Sequence, residues 1–164
     1  IVKKNILFII FFFLSGCASE TPVLEKISCP KFMYSAEHNN YISSDINQPK
    51  LDDLNYKAEI NNFAFNEDCS LDNQIFQTKI SLLFVVQPLN INEININLPF
   101  YIAALNEKDQ LIDIQYFNVD GSFTKIIESD DYIETEIIEK LDLRILVPED
   151  QNINILVVGF MLSE

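Results

Sequence analysis

The chain is poor in the residue types on which most catalytic sites depend. Its 164 residues include one histidine, three glycines and no tryptophan. A Ser-His-acid triad would have to use His38, with Ser35 or Ser43 as nearby hydroxyls. Loops that cradle phosphate and turns that present a nucleophilic serine both need glycines, which are too few and too scattered here. We therefore expect no enzyme, and a hydrolase using His38 is the least favoured of three functional hypotheses.

A resident metal or cofactor is not expected either. A zinc site needs more imidazole or thiolate ligands than one histidine and one cysteine pair supply. Asn118, Asp120 and Gly121 resemble the middle of a calcium loop, but Tyr116 and Ile127 would occupy its first and twelfth positions. The paired acidic residues fall mostly in predicted loops, where solvated charge is their ordinary role.

Basic residues are scarce. The chain has 11 lysines and arginines against 25 acidic residues, and without Lys3 and Lys4 its net charge is −16. Such a surface does not favour nucleic acid or anionic lipid headgroups. It favours either simple solubility or a protein partner with a basic surface. The acids predicted to steer that partner are the loop residues Asp130, Asp131, Glu149 and Asp150.

Residues 1–16 have the composition of an export signal. Lys3 and Lys4 form a positive start, and the apolar residues 6–14 are too few to span a bilayer, which takes about 20. Small residues then lead directly into a cysteine. The sequence Leu14-Ser15-Gly16-Cys17 resembles the bacterial lipobox. The alternatives are an ordinary cleaved signal and a weak membrane anchor.

The lipobox resemblance implies a processed and acylated protein. Cys17 would become the mature N-terminus, carry the acyl chains and hold the protein on a lipid bilayer. Ala18 stands where, by resemblance to enteric lipoproteins, an aspartate would signal retention in the inner membrane. We therefore expect the inner leaflet of the outer membrane, facing the periplasm. The chain then divides into a signal peptide (1–16), a lipidated tether (17–28) and a domain (29–164).

The remaining cysteines form an even pair. If Cys17 carries lipid, Cys29 and Cys69 are left in an oxidising compartment, which favours a disulfide between them. The alternatives are two buried free thiols and a metal-binding pair.

Alternating and continuous apolar segments predict an all-β domain. We expect about six or seven strands in an antiparallel β-sandwich of immunoglobulin-like or fibronectin-like architecture, without the tryptophan core of true immunoglobulin domains. Residues 36–54, 66–73 and 119–122 are predicted as loops or turns, and Pro99 as an interruption. Residues 137–141 fit a helical turn as well as a strand. The predicted strands cover residues 31–35, 55–61, 76–86, 94–105 with an interruption at Pro99, 111–117, 132–147 and 153–162.

The pattern also predicts positions within the sheets. Strand 76–86 and the last strand are apolar on both faces, so both should be central or covered. Strand 55–61 is polar on one face and suits an edge. Gly159, inside an apolar strand, indicates a bulge or a close backbone contact. The residues predicted to point inward from strand 111–117 are Ile112, Ile114 and Tyr116.

One resemblance covers most of the domain. Residues 99–105 (PFYIAAL), the polar hairpin that follows, and residues 157–160 (VVGF) resemble a group of small envelope lipoproteins of Gram-negative bacteria. The resemblance implies no particular activity and no catalytic residues. The favoured hypothesis is a membrane-anchored, non-catalytic envelope lipoprotein that acts as a protein-interaction or structural module. The alternative is a chaperone-like lipoprotein that captures exported proteins by edge-strand addition.

Overall fold

The computed structural model describes residues 25–44, 50–90, 94–126, 128 and 131–162. This part of the chain forms ten β-strands and one short 3-10 helix (Leu51–Asp53), which confirms the all-β prediction. Residues 1–16, predicted to be an export signal, lie outside the described residues, as do Cys17 and Asp130. The strands are β1 (Glu25–Lys26), β2 (Lys31–Tyr34), β3 (Asn40–Ser44), β4 (Leu54–Phe65), β5 (Ser70–Asp72), β6 (Ile75–Pro88), β7 (Asn95–Leu105), β8 (Leu111–Ser122), β9 (Thr135–Leu146) and β10 (Ile155–Phe160).

The strands form two sheets that pack face to face as an antiparallel β-sandwich, as predicted. In the first sheet, β6 has β9 on one side and both β4 and β5 on the other. β3 borders β4, and β1 borders β5. The second sheet has the order β2-β10-β7-β8. Neighbouring strands are antiparallel except for β2, which runs parallel to β10.

The central pairs are those of an immunoglobulin-type sandwich. In that arrangement, strands B and E meet in one sheet and strands C and F in the other. Here β6 pairs with β9 and β7 pairs with β10, and β4 flanks β6 as strand A does. In an immunoglobulin domain, the last strand lies beside strand F. Here β2, which comes early in the chain, occupies the equivalent place beside β10.

The core lies between the two sheets and is rich in phenylalanine. The predicted inward face of β6 is confirmed, because alternate residues from Phe76 to Val86 are buried. The ring of Phe84 lies 5.2 Å from Phe100 and 5.9 Å from Phe160, between ring centroids. Phe84 therefore ties the first sheet to both central strands of the second. Burying each such ring contributes about 1.5–3 kcal/mol.

Two predictions about strand positions have opposite outcomes. The last strand is central as predicted, because β10 lies between β2 and β7. The prediction that strand 55–61 lies at an edge is wrong, because β3 pairs with that part of β4. β3 falls in the segment 36–54 that was predicted to be a loop. Its composition is polar, and Tyr41 is its aromatic anchor, with a ring centroid 5.5 Å from that of Phe160.

Pro99 does not interrupt its strand. β7 runs continuously through it, in register with Asn118 of β8. On the other side, the Pro99 carbonyl accepts a hydrogen bond from the Met161 N–H (2.9 Å), where β10 has just ended. A proline is tolerated here because its missing N–H falls at the end of that pairing.

The inward face of β8 differs from the prediction. Ile112 packs against the core as predicted, but Tyr116 is 63% exposed. The β7–β8 register shifts by one residue at Ile112, so that Phe117 and Val119 face the core instead. β8 also continues through the predicted turn 119–122. A one-residue irregularity reverses the face on which every following side chain lies.

The remaining differences concern short or terminal segments. β5 lies in the predicted turn 66–73, and β1 lies in the predicted tether 17–28. β9 covers less than the predicted 132–147, and Tyr132 forms an isolated bridge with Lys125. Residues 137–141 are strand rather than helix, paired along β6.

The disulfide Cys29–Cys69 is present, with 5.1 Å between the two Cα atoms. It joins the segment before β2, in the second sheet, to the segment before β5, in the first. A hydrogen bond from the Ile27 N–H to the Cys69 carbonyl (3.0 Å) reinforces the same junction. The bond therefore fixes the start of the domain to both sheets.

Replacing both bridged cysteines by serine should lower the free energy of unfolding by about 3–4 kcal/mol. The reason is that the bridge, with a sequence separation of 40 residues, restricts the unfolded chain. Urea unfolding of the purified domain measures the change. Dithiothreitol should lower the stability of the wild type and leave that of the double variant unchanged. Equal stability of the two proteins would contradict a structural role for the bridge.

Candidate interaction surface and the His38 cluster

His38 lies in the turn between β2 and β3. Its ring Nδ1 is 3.3 Å from the Tyr101 hydroxyl, and the two rings meet edge to face. The Ser35 hydroxyl oxygen accepts a hydrogen bond from the backbone N–H of His38 (3.3 Å). Ser43 lies in β3, in register with Tyr56. The structure thus brings Ser35 beside His38, but the hydroxyl caps a turn.

The turn that contains His38 is fastened to β10. The Ser35 N–H donates to the Val158 carbonyl (2.8 Å), and the Phe160 N–H donates to the His38 carbonyl (2.6 Å). These two bonds lie on either side of Gly159. The backbone pairing of β2 with β10 therefore continues past the end of β2.

The space around Gly159 is too small for a side chain. A Cβ at this position would lie 2.8 Å from the Tyr101 hydroxyl and 2.9 Å from the Cβ atoms of His38 and Ser35. The predicted close contact at Gly159 is confirmed. We call Ser35, His38 and Tyr101 the His38 cluster. These residues pack around Gly159, where the chain that follows β2 runs beside β10.

The outer face of the second sheet carries a continuous apolar surface. Cross-strand register places Met33, Val157, Ala103 and Ile114 in one row across all four strands. A neighbouring row contains Ile155, Leu105 and Leu111, and Tyr101 pairs with Tyr116 on the other side. We call this surface the apolar face. Its members are Met33, Tyr101, Ala103, Leu105, Leu111, Ile114, Tyr116, Ile155 and Val157.

The apolar face is open at its margins and shallow at its centre. Met33 is 49% exposed, Leu111 58% and Tyr116 63%, whereas Ala103 at the centre is nearly buried. Lys31, in register with Ile155, is the charged residue of these rows. The exposed apolar area therefore lies mainly on the large side chains at the margins of the face.

The outer face of the first sheet carries more charge. Outward residues alternate with buried ones along β4, β6 and β9. The charged outward residues are Lys57, Glu59, Lys79, Glu136, Lys140, Asp142 and Arg144. Exposed apolar side chains lie among them, namely Ile42, Ile75, Ile138 and Leu146. The two outer faces of the sandwich therefore differ in charge, and both carry exposed apolar residues.

Acidic loops border the apolar face at one end. The β7–β8 hairpin carries Glu107 and Asp109, and the turn before β10 carries Glu149 and Asp150. The Asn106 side-chain amide donates to the Gln151 side-chain oxygen (3.2 Å), which joins the two loops. Both loops follow directly from the row that contains Leu105, Leu111 and Ile155.

The strongest local ion pairs lie away from the apolar face. The hydrogen bond and charge of Lys26 lower the pKa of Asp68, and Asp68 raises the pKa of Lys26. Glu67 likewise raises the pKa of Lys79. These pairs connect the turn between β4 and β5 to β1 and β6, but they are exposed and therefore contribute little to stability.

In the part of the chain that the structure describes, no group of side chains is arranged to bind a metal ion. There, no three histidine, cysteine or acidic side chains lie close enough to hold an ion. Asp120 accepts hydrogen bonds from the side chains of Asn97 (2.8 Å) and Asn118 (3.2 Å). Within the same described ranges, no helix is long and apolar enough to cross a bilayer.

Comparison with known proteins finds no matching family model, no matching curated sequence and no matching solved structure.

Replacing Gly159 with alanine should lower the free energy of unfolding by about 1–3 kcal/mol, the usual cost of forcing atoms into filled space. The His38 cluster would have to move away from β10 to accommodate the methyl group. Thermal unfolding of the variant measures the effect.

Gly121→Ala is the matched control. Its Cβ would meet Cδ1 of Ile137 at 2.6 Å, which is the far end of a flexible side chain. The control should therefore cost clearly less. A larger loss at Gly121 than at Gly159 would contradict the role assigned to the His38 cluster.

Proposed function

We propose that this protein is a non-catalytic envelope lipoprotein, anchored in the outer membrane through Cys17, that binds another envelope protein through the apolar face. The apolar face is the observation that carries the proposal. The largest apolar patch of a monomeric protein covers about 300–600 Å² and is often a functional site. Tyr101 and Tyr116 supply the kind of side chain that dominates binding energy at interfaces.

Two features support an envelope location. The Cys29–Cys69 disulfide is typical of an exported protein, because the cytosol keeps thiols reduced. Cys17 precedes Glu25, the first described residue, by eight positions. Eight extended residues span at most about 29 Å. An acylated Cys17 would therefore hold the domain, and its apolar face, within reach of other membrane-associated proteins.

Edge-strand capture of exported proteins is the second candidate. β8 supports it, because this edge strand of the second sheet is twelve residues long. β9, the corresponding edge of the first sheet, is protected by alternating charges, which discourage pairing. The Gln115 side chain also donates to the Arg144 carbonyl of β9 (2.8 Å). We favour the apolar face over β8 because binding there needs no strand addition.

The anchor is tested directly by Cys17→Ser. The variant should remain unprocessed and should not incorporate radiolabelled palmitate, since the acylated sulfur is gone. Gel mobility and acyl labelling measure both effects. Cys29→Ser is the control, and it should be labelled like the wild type. A wild type that carries no lipid would remove the anchor from the proposal.

The apolar face is tested by photocrosslinking in intact cells. A benzoylphenylalanine at position 116 should give a discrete adduct with another protein. The same residue at position 138 should give much less, because that site lies among the charges of the first sheet. The pair is well matched, since Tyr116 is 63% exposed and Ile138 64% exposed, each on an edge strand.

Crosslinking from a third position, Asn118, distinguishes the two candidate functions. For strand addition to β8, crosslinks should form at Asn118 as readily as at Tyr116, since both lie on the same strand edge. A variant with Tyr116→Lys should lose the partner in the favoured proposal and keep it in edge-strand capture. A crosslink at position 138 without one at position 116 would contradict the favoured proposal.

A further inference from the structure

We infer that the partner presents an apolar patch with lysine or arginine side chains next to it, so that its basic side chains meet the acidic loops of Glu107, Asp109 and Asp150. This inference rests on the proposed function, because it names the chemistry of the protein that the apolar face binds. It follows from the size of the face, from the charges at its border and from the charge of the whole domain.

The apolar face is too small to form a stable interface alone. Four strands spaced about 4.8 Å apart, with three rows of side chains about 6.7 Å apart, cover about 400 Å². Specific interfaces bury about 800 Å² on each partner. Roughly half of the contact must therefore come from residues around the apolar face.

The border that lies nearest to exposed apolar residues is acidic. Leu105 and Leu111 lead into the hairpin of Glu107 and Asp109, and Ile155 follows the turn of Asp150. Glu107 and Asp150 line the same cleft, together with Lys108. A partner that covers the apolar face and extends over this end meets more negative than positive charge. Basic side chains there would make the contact complementary.

A second copy of this chain does not fit the same surface. Each copy carries a net charge of −16 without residues 1–16. Two copies joined through the apolar face would bring two acidic domains together, with acidic loops at their borders. Repulsion between like charges opposes that association. An anionic lipid surface is opposed by the same charge.

The experiment uses the full-length protein in native envelopes, with benzoylphenylalanine at position 116 as the probe. The test variant is E107Q/D109N/D150N. Asp109 and Asp150 have positive φ angles of 57° and 63°, which asparagine tolerates well. The control variant E59Q/E136Q/D142N removes three acids from the first sheet, so both variants change the net charge equally.

The expected result is an adduct with a protein whose crosslinked surface contains lysine or arginine. At low salt and short illumination, the loop variant should reduce adduct yield about tenfold, because steered association is at least that much faster than unsteered. The control variant should change the yield little. Raising the salt should reduce the yield of the wild type and of the control, and affect the loop variant less.

The outcomes separate this inference from the proposed function. If the yield of a protein adduct is unchanged in the loop variant E107Q/D109N/D150N, or falls equally in the control variant, the inference of a basic partner is overturned. The proposed interaction through the apolar face would still hold. An adduct with lipid or with a second copy also overturns the inference. No adduct at position 116 above that at position 138 overturns the proposed function itself.

Discussion

The structure depends on a second sheet whose central strands are apolar on both faces. One face packs on Phe84 and the rest of the core, and burial of such side chains is the main source of stability in a domain of this size. The other face is the apolar face, which no strand of the described chain covers. Selection for folding alone requires only the first of these faces. The second face therefore calls for a functional explanation, and binding is the simplest one.

The rest of the fold supports this sheet. β2 and the His38 cluster close the edge beside β10, and the Cys29–Cys69 bridge fixes the segment before β2. Gly159 lets the chain cross close to β10 without displacing Tyr101, a member of the apolar face. The single histidine thus contacts a member of the apolar face, at 3.3 Å from the Tyr101 hydroxyl. Its neighbour Ser35 accepts a hydrogen bond from the His38 backbone N–H.

The sequence predicts the long strands and the disulfide well, because both follow from strong local signals. Alternation along β6 and the two-sided apolar character of β10 identify central strands, and the even pair Cys29 and Cys69 predicts the bridge. The sequence predicts β3 and β5 poorly, because their composition is polar and backbone pairing with longer strands holds them. It also misplaces Tyr116, since a one-residue shift in the β7–β8 register has no local signature.

The apolar face could be predicted only in part. The apolar character of Ala103 and Val157 is visible in the sequence. The last strand was predicted to be central or covered, and β10 is central, but no strand of the described chain covers its outer face. Met33 lies in β2, whereas Ile114 and Tyr116 lie in β8, and only the register of the second sheet places them on one face. The acidic loops were recognised in part, through Glu149 and Asp150. Their position at one end of the apolar face is a property of the topology.

The most direct test is the accessibility of the apolar face in the native envelope. Cysteines introduced at Tyr116 and at Ile138, in separate variants, can be labelled with a membrane-impermeant maleimide after the outer membrane is opened. In the purified protein both should label at similar rates, because the two positions are equally exposed. In envelopes, our account predicts that position 116 is protected and position 138 is not. Equal labelling of the two positions in envelopes would contradict the central claim.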